Sequence, residues 1–154
     1  MKIEIDDSDR VILSMLQEDS NHSLEQLSEA CGLSVPTVQR RLKRLREKKI
    51  ISREVAVVDA KAVGYPMTFI VMVEMEHENL QGLTEFKLVS QAETAVQQCY
   101  YVTGEADFCL ICTSKDMDDF EVLTHRLFFN NKNVRRFRTS VVMNRNKVTL
   151  DVPL

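Results

Sequence analysis

No apolar run in this sequence approaches the roughly 18 residues that a membrane-spanning helix needs, so no span is expected. The opening residues, MKIEIDDSDR, are acidic and hold no apolar signal core, so no secretion leader is expected either. Four cysteines make no dense framework, which points to reduced thiols in a cytoplasmic protein rather than to a disulfide scaffold. There is no repeat with a 20–50 residue period and no low-complexity tract. Catalytic signatures are missing too: no nucleophile elbow, no phosphate loop, no His-Glu metal motif. No enzymatic activity and no cofactor are therefore expected. Cys109 and Cys112 do form C-x-x-C, but on a strand residues three apart point to opposite faces, so one metal could not take both without a bulge. No second such pair follows, and His22, His77 and His125 are scattered, so no metal site is expected.

What is present is concentrated in one stretch, Ser34 to Arg53. It carries eight Lys/Arg and one acid, Glu47, for a net charge of +7 in a chain whose total is −3. Within it Val35, Val38, Leu42 and Leu45 recur at helical spacing and fall inside an arc of about 80°. Thr37, Arg40, Arg44 and Lys48 lie opposite, with Arg41 on the flank. One face packs and the other is basic. Ser34 is placed to cap this helix with its hydroxyl, and Pro36 lies in the first turn, where a missing amide hydrogen costs nothing. A concentrated basic helix in an acidic chain suits contact with a polyanion at one place.

The preceding residues give that helix a frame. Asp7 to Leu16 reads as a helix with Asp7, Ser8 and Asp9 at its cap and first turn and with Ile12, Met15 and Leu16 as its stripe. Ile3 and Ile5 before it suggest a short strand or arm. Ser23 and Gln26 make a capping-box pattern for a second helix whose buried positions are Leu24, Leu27 and Cys31, and Gly32 ends it. Helix, helix, tight glycine turn, basic helix is the helix-turn-helix order, in which the last helix enters the major groove of double-stranded DNA. Beyond Lys48, Ile50-Ile51 and Val55–Val58 are β-branched and predict a strand or wing.

Asp59 to Pro66, with Gly64 and Pro66, reads as a hinge. After it come a strand (67–75), a helix (79–91), a strand (95–103), a Gly104-Glu105-Ala106 turn, a strand (107–113), a helix (116–129) and a strand (134–144). This β-α-β-β-α-β order predicts a ferredoxin-like sandwich with helices on one face of the sheet. The other face, rich in Met, Val, Tyr and Cys, would be apolar and open, which predicts a dimer made sheet to sheet. The fold class is thus α+β: a helix-turn-helix, winged-helix-like domain over 1–58, a hinge over 59–66 and a ferredoxin-like domain over 67–154.

Taken together, DDSDRVILSMLQED, LEQLSEACGLSVPTVQRRLKRLREKKII, VTGEADFCL and the strand ending RTSVVM resemble the Lrp/AsnC, or feast/famine, family of transcription regulators over nearly the whole length. The resemblance implies an N-terminal DNA-binding domain, a C-terminal domain for amino-acid response, and homodimers assembling into a higher oligomer such as an octamer. By position it implies Ser34, Thr37, Gln39, Arg40, Arg41 and Arg44 as DNA-facing residues. Around the turn it implies Val102, Thr103, Gly104, Asp107 and Phe108, with Thr139 on the last strand, as the pocket for an amino-acid effector. An ammonium wants a carboxylate such as Asp107, and a glycine turn lets backbone amides approach a carboxylate closely. Two positions depart from the family pattern: Lys48-Lys49-Ile50 stands where the family commonly has glycine, and Arg46 where it often has an acid. Two other readings stay open at this point. One is an effector-independent architectural DNA-binding protein; the other is a small-molecule or enzymatic domain with an incidental basic helix.

Overall fold

The computed structural model describes residues 4–76 and 80–154. The expectations for Ile3, His77 and Asn79 fall outside them. The chain divides into two compact units. The first ends at Val57 and takes back the tail Lys147–Leu154; the second is Val58–Asn146. Among the described residues no helix is long and apolar enough to cross a membrane.

The first unit is three helices, α1 (Asp7–Glu18), α2 (Leu24–Cys31) and α3 (Val35–Glu47). Asp6, one residue before the expected acids, caps α1: its carboxylate accepts from the Asp9 amide at 2.9 Å, and the Asp6 amide donates to Asp9 at 3.3 Å. Ser23 and Gln26 form the expected reciprocal box on α2, at 3.2 and 2.8 Å. Gly32 then takes the left-handed conformation, φ 64°, that lets the chain turn into α3. Ser34 is the residue before α3, but its hydroxyl lies 2.9 Å from the Thr37 hydroxyl rather than on an amide. The end of α3 is closed by Lys49 at φ 58°, the one non-glycine with positive φ among the described residues, with the Ile50 amide donating back to the Leu45 carbonyl at 2.9 Å. Ile12, Leu27, Val38, Leu42 and Leu45 form the buried core; Met15, Leu16, Leu24 and Cys31 pack around it half-buried.

The strand expected at Val55–Val58 is absent. Residues 52–59 take part in no ladder, and Val57 is 95% exposed. β-branched residues favour extended backbone, but a strand also needs a neighbour to take its hydrogen bonds, and among the described residues none pairs with this segment. The tail instead contacts α1, where the Gln17 side-chain amide donates to the Val152 carbonyl at 3.1 Å and accepts from its amide at 2.8 Å.

The second unit has the predicted order: β1 (Met67–Met75), α4 (Leu80–Ala92), β2 (Val96–Tyr101), β3 (Phe108–Ser114), α5 (Met117–Thr124) and β4 (Val134–Val141). The sheet runs β2-β3-β1-β4 with antiparallel neighbours throughout. Asp116 caps α5 through the Asp119 amide at 2.8 Å, and the helix finishes in a π-helical turn, His125–Phe129, rather than as one regular helix. Helices α4 and α5 cover one face: Phe120 stacks on Phe69 with ring centroids 3.6 Å apart, and Phe86 meets Phe108 at 4.8 Å. Val71 and Val73 belong to this covered core. The opposite face presents Ile70 and Met72 from β1, Cys109 and Ile111 from β3 and Tyr100 from β2, so its apolar part is Ile, Met, Tyr and Cys without valine. Cys112 is buried on the core face, where desolvation pushes its thiol up to about 12, while Cys109 stands on the other side.

Candidate DNA-binding surface and effector turn

Helix α3 is held by charge as well as by its leucines. Asp9, fully buried near the start of α1, accepts from Arg41 Nη1 at 2.9 Å and from Arg44 Nη2. Arg41 Nη1 also reaches both oxygens of Asp6, at 2.7 and 2.9 Å. The Asp9 amide and then the Arg41 guanidinium hold the Asp6 carboxyl below its usual value, and Asp6 with Asp9 raises that of Arg41. Acids three apart on α1 therefore meet arginines three apart on α3. That matched spacing is written in the sequence, and it is the signal that a reading of α3 alone passes over. Of the six residues implied as DNA-facing, Arg41 and Arg44 are tied into this network. Ser34, Gln39 and Arg40 are exposed, with Thr37 half-buried beside them. Arg46 is bidentate to Glu54 at 2.8 and 3.0 Å, so it too carries a local partner.

The turn from β2 to β3 brings Val102, Thr103, Gly104, Asp107 and Phe108 together. Gly104 sits at φ 114°; a Cβ there would meet nothing within 4 Å, so conformation and not crowding calls for glycine. Asp107 fastens the turn. Its carboxylate accepts from the Met75 amide at 2.7 Å, its own amide donates to Val73, and its carbonyl accepts from Val102, each of these at 2.9 Å. The β1–β3 ladder ends at Val73 and Phe108, so Asp107 satisfies the Met75 amide just beyond the ladder's end. Phe108 is fully buried among the core rings and offers no side-chain surface to a ligand. Thr139 is on edge strand β4. Phe108 is level with Val73 and Phe137, and Thr139 lies two residues further along, so it is separated from the turn by β1. Next to the turn the sequence reading missed an ion cluster: Glu74 accepts from Arg136 at 2.8 Å and from Arg138 at 3.1 Å, and Arg138 reaches Glu105 at 3.4 Å. The Arg136 guanidinium, with Arg138, holds the Glu74 carboxyl below its usual value. Among the described residues no three His, Cys, Asp or Glu side chains gather as metal ligands.

Residues 68–151, most of the second unit and part of the tail, match the Lrp/AsnC ligand-binding domain. The chain belongs to the Lrp/AsnC family. Residues 5–52 match a winged helix-turn-helix DNA-binding domain, which makes this Lrp/AsnC protein a DNA-binding transcriptional regulator. It is 43% identical to an HTH-type transcriptional regulator of Sinorhizobium fredii, covering 99% of this chain and 90% of the relative. It is 28% identical to the leucine-responsive regulatory protein of Rhizobium meliloti, over 100% and 99% of the two chains. A transcriptional regulator of Neisseria meningitidis, solved as a complex with L-Met, superposes with a TM-score of 0.91 at 25% identity over 97% of each chain. In this Lrp/AsnC chain, Lys49 takes the left-handed residue's place after the basic helix.

Proposed function

We propose that this Lrp/AsnC protein is a sequence-specific regulator that binds paired DNA half-sites as a homodimer and answers to an amino acid held by its C-terminal domain. The observation that carries the reading is α3 itself: a helix braced by Asp6, Asp9 and a leucine core that leaves Ser34, Gln39 and Arg40 exposed toward a partner. Rigid placement lets Gln39 read base edges while Arg40 and other cationic side chains meet phosphates. Chromosomal DNA as the partner puts its work in the cytoplasm.

The dimer is made by the uncovered face of the sheet, where Ile70, Met72, Ile111 and Tyr100 present apolar surface that a second copy would remove from water. Dimers join further into a ring such as an octamer. The effector is a free amino acid at the Val102–Asp107 turn, between dimers; the L-Met complex of the Neisseria regulator supports this ligand class. Asp107 positions the turn, and the amides around Gly104 take the ligand carboxylate. Thr139 reaches the site only if a neighbouring protomer brings it there.

Thermal melting against the twenty amino acids at millimolar concentration tests the effector. A ligand that binds only the folded state adds about 2.7 kcal/mol at a hundredfold excess over Kd, so one chemical class should raise the transition of the second unit. A flat panel, with DNA affinity intact, would replace this reading with a DNA-binding protein whose output is independent of amino acids.

A further inference from the structure

On the flank of α3 away from Asp9 lies a groove of about 650 Å³. Its floor is apolar, from Leu16, Leu24, Leu27 and Leu42, and its rim carries Arg40, Lys43 and, from the α1–α2 loop, His22. No carboxylate lines it. The nearest acids are Glu54, bidentate on Arg46 at the end of the groove, Glu47, 3.8 Å from Lys43 with both side chains mostly exposed, and Asp19, which is occupied by Asn21 beside His22. The two flanks of the helix therefore differ in kind. On one side the guanidinium groups of Arg41 and Arg44 are cancelled by Asp6 and Asp9. On the other, Arg40 has no acid partner among the described residues and Lys43 has only the loose, solvent-exposed Glu47, beside a concave apolar strip. Exposed charges so placed can release counterions from a polyanion, whereas internally paired ones contribute little.

We infer that this groove seats the sugar–phosphate backbone of one DNA strand, with Lys43, Arg40 and the His22 imidazole on phosphates and deoxyribose against the leucine floor. The inference rests on the DNA-binding reading of α3 and adds which flank faces the duplex. It makes Lys43, which the sequence reading left out, a phosphate contact, and it removes Arg41 and Arg44 from that role.

The test is fluorescence anisotropy of a labelled random-sequence 30-base-pair duplex titrated with the full-length protein at several KCl concentrations. Phosphate contacts do not depend on sequence, so no operator is needed. Lys43→Gln should lower the slope of log K against log [KCl] by about 0.9 for each bound protomer, while Lys48→Gln, on the opposite flank, should leave it unchanged. Lys43 is 75% exposed, so its substitution should not move the melting transition, which confirms a folded protein. An unchanged slope in Lys43→Gln with a lowered one in Lys48→Gln would place the duplex on the other flank and overturn the inference. No binding by the unsubstituted protein would instead overturn the DNA-binding reading on which it stands.

Discussion

Replacing Asp9 by Asn should separate what braces the DNA-binding helix from what touches DNA. The Asp9 side chain has no exposed surface, and the Arg41 and Arg44 side chains that meet it are 22% and 42% exposed. Removing one member of a fully buried pair costs on the order of 3–5 kcal/mol, because the remaining charge is stranded. Here the stranded guanidinium groups retain access to water, and Arg41 keeps Asp6, so a loss of about 2 kcal/mol is expected after discounting for screening. For a domain of this size that corresponds to a fall in Tm of roughly 8–16 °C. Calorimetry on the full chain reads it, since the first unit should melt earlier while the second is unmoved. At a temperature where Asp9→Asn is folded, its salt slope on DNA should equal that of the unsubstituted protein. Arg40→Ala should do the reverse, flattening the slope and leaving Tm in place. A shift below 2 °C for Asp9→Asn would refute the idea that these pairs hold α3.

Other consequences follow from single residues. Lys49→Gly should stabilise the first unit by about 0.5–1 kcal/mol in urea denaturation, since relief of the left-handed strain exceeds the added freedom of glycine in the unfolded chain; a loss of stability would mean that the lysine side chain contributes at the helix end. Asp107→Ala strands the Met75 amide beyond the end of the β1–β3 ladder and should destabilise the second unit by about 1–3 kcal/mol even with no amino acid present; an unchanged melting transition would return Asp107 to a purely ligand-binding role. Asp6 and Glu74 have carboxyls depressed in the fold, so they contribute stability above the unfolded values of 3.8 and 4.5 and lose it as pH falls through their lowered ones. Acid titration followed by circular dichroism should therefore show a shallower loss of helix below pH 4 in Asp6→Asn. Met72→Asp should halve the assembled mass seen by light scattering if the open sheet face joins two copies.

The fold was legible because its periodicities are unambiguous. Three apolar stripes at helical spacing, a capping box at Ser23 and Gln26, and four β-rich runs around two helices lead to one order of elements. What escaped were features decided by partners distant in sequence. Val55–Val58 has every local mark of a strand, yet pairing is a property of two segments, and among the described residues no second one lies against it. The basic face of α3 looked uniformly available because a helical projection shows direction and not company; Asp6 and Asp9 lie more than thirty residues away. Thr139 and the Gly104 turn are functionally linked by resemblance, but register places β1 between them. Phe108 was read beside the turn because it follows Asp107, while strand alternation sends its ring into the core. Conversely, the strain at Lys49 was visible in advance, because a helix that ends without glycine must put some other residue in the left-handed position.

The clasp of Gln17 on Val152 joins residues 135 apart. During synthesis the three-helix core, which draws on nothing beyond Ile51, is available early. Its two hydrogen bonds to Val152 must wait until the ligand-binding unit between Gln17 and Val152 has been translated. The earlier of the two units is thus completed only after the later one has been made.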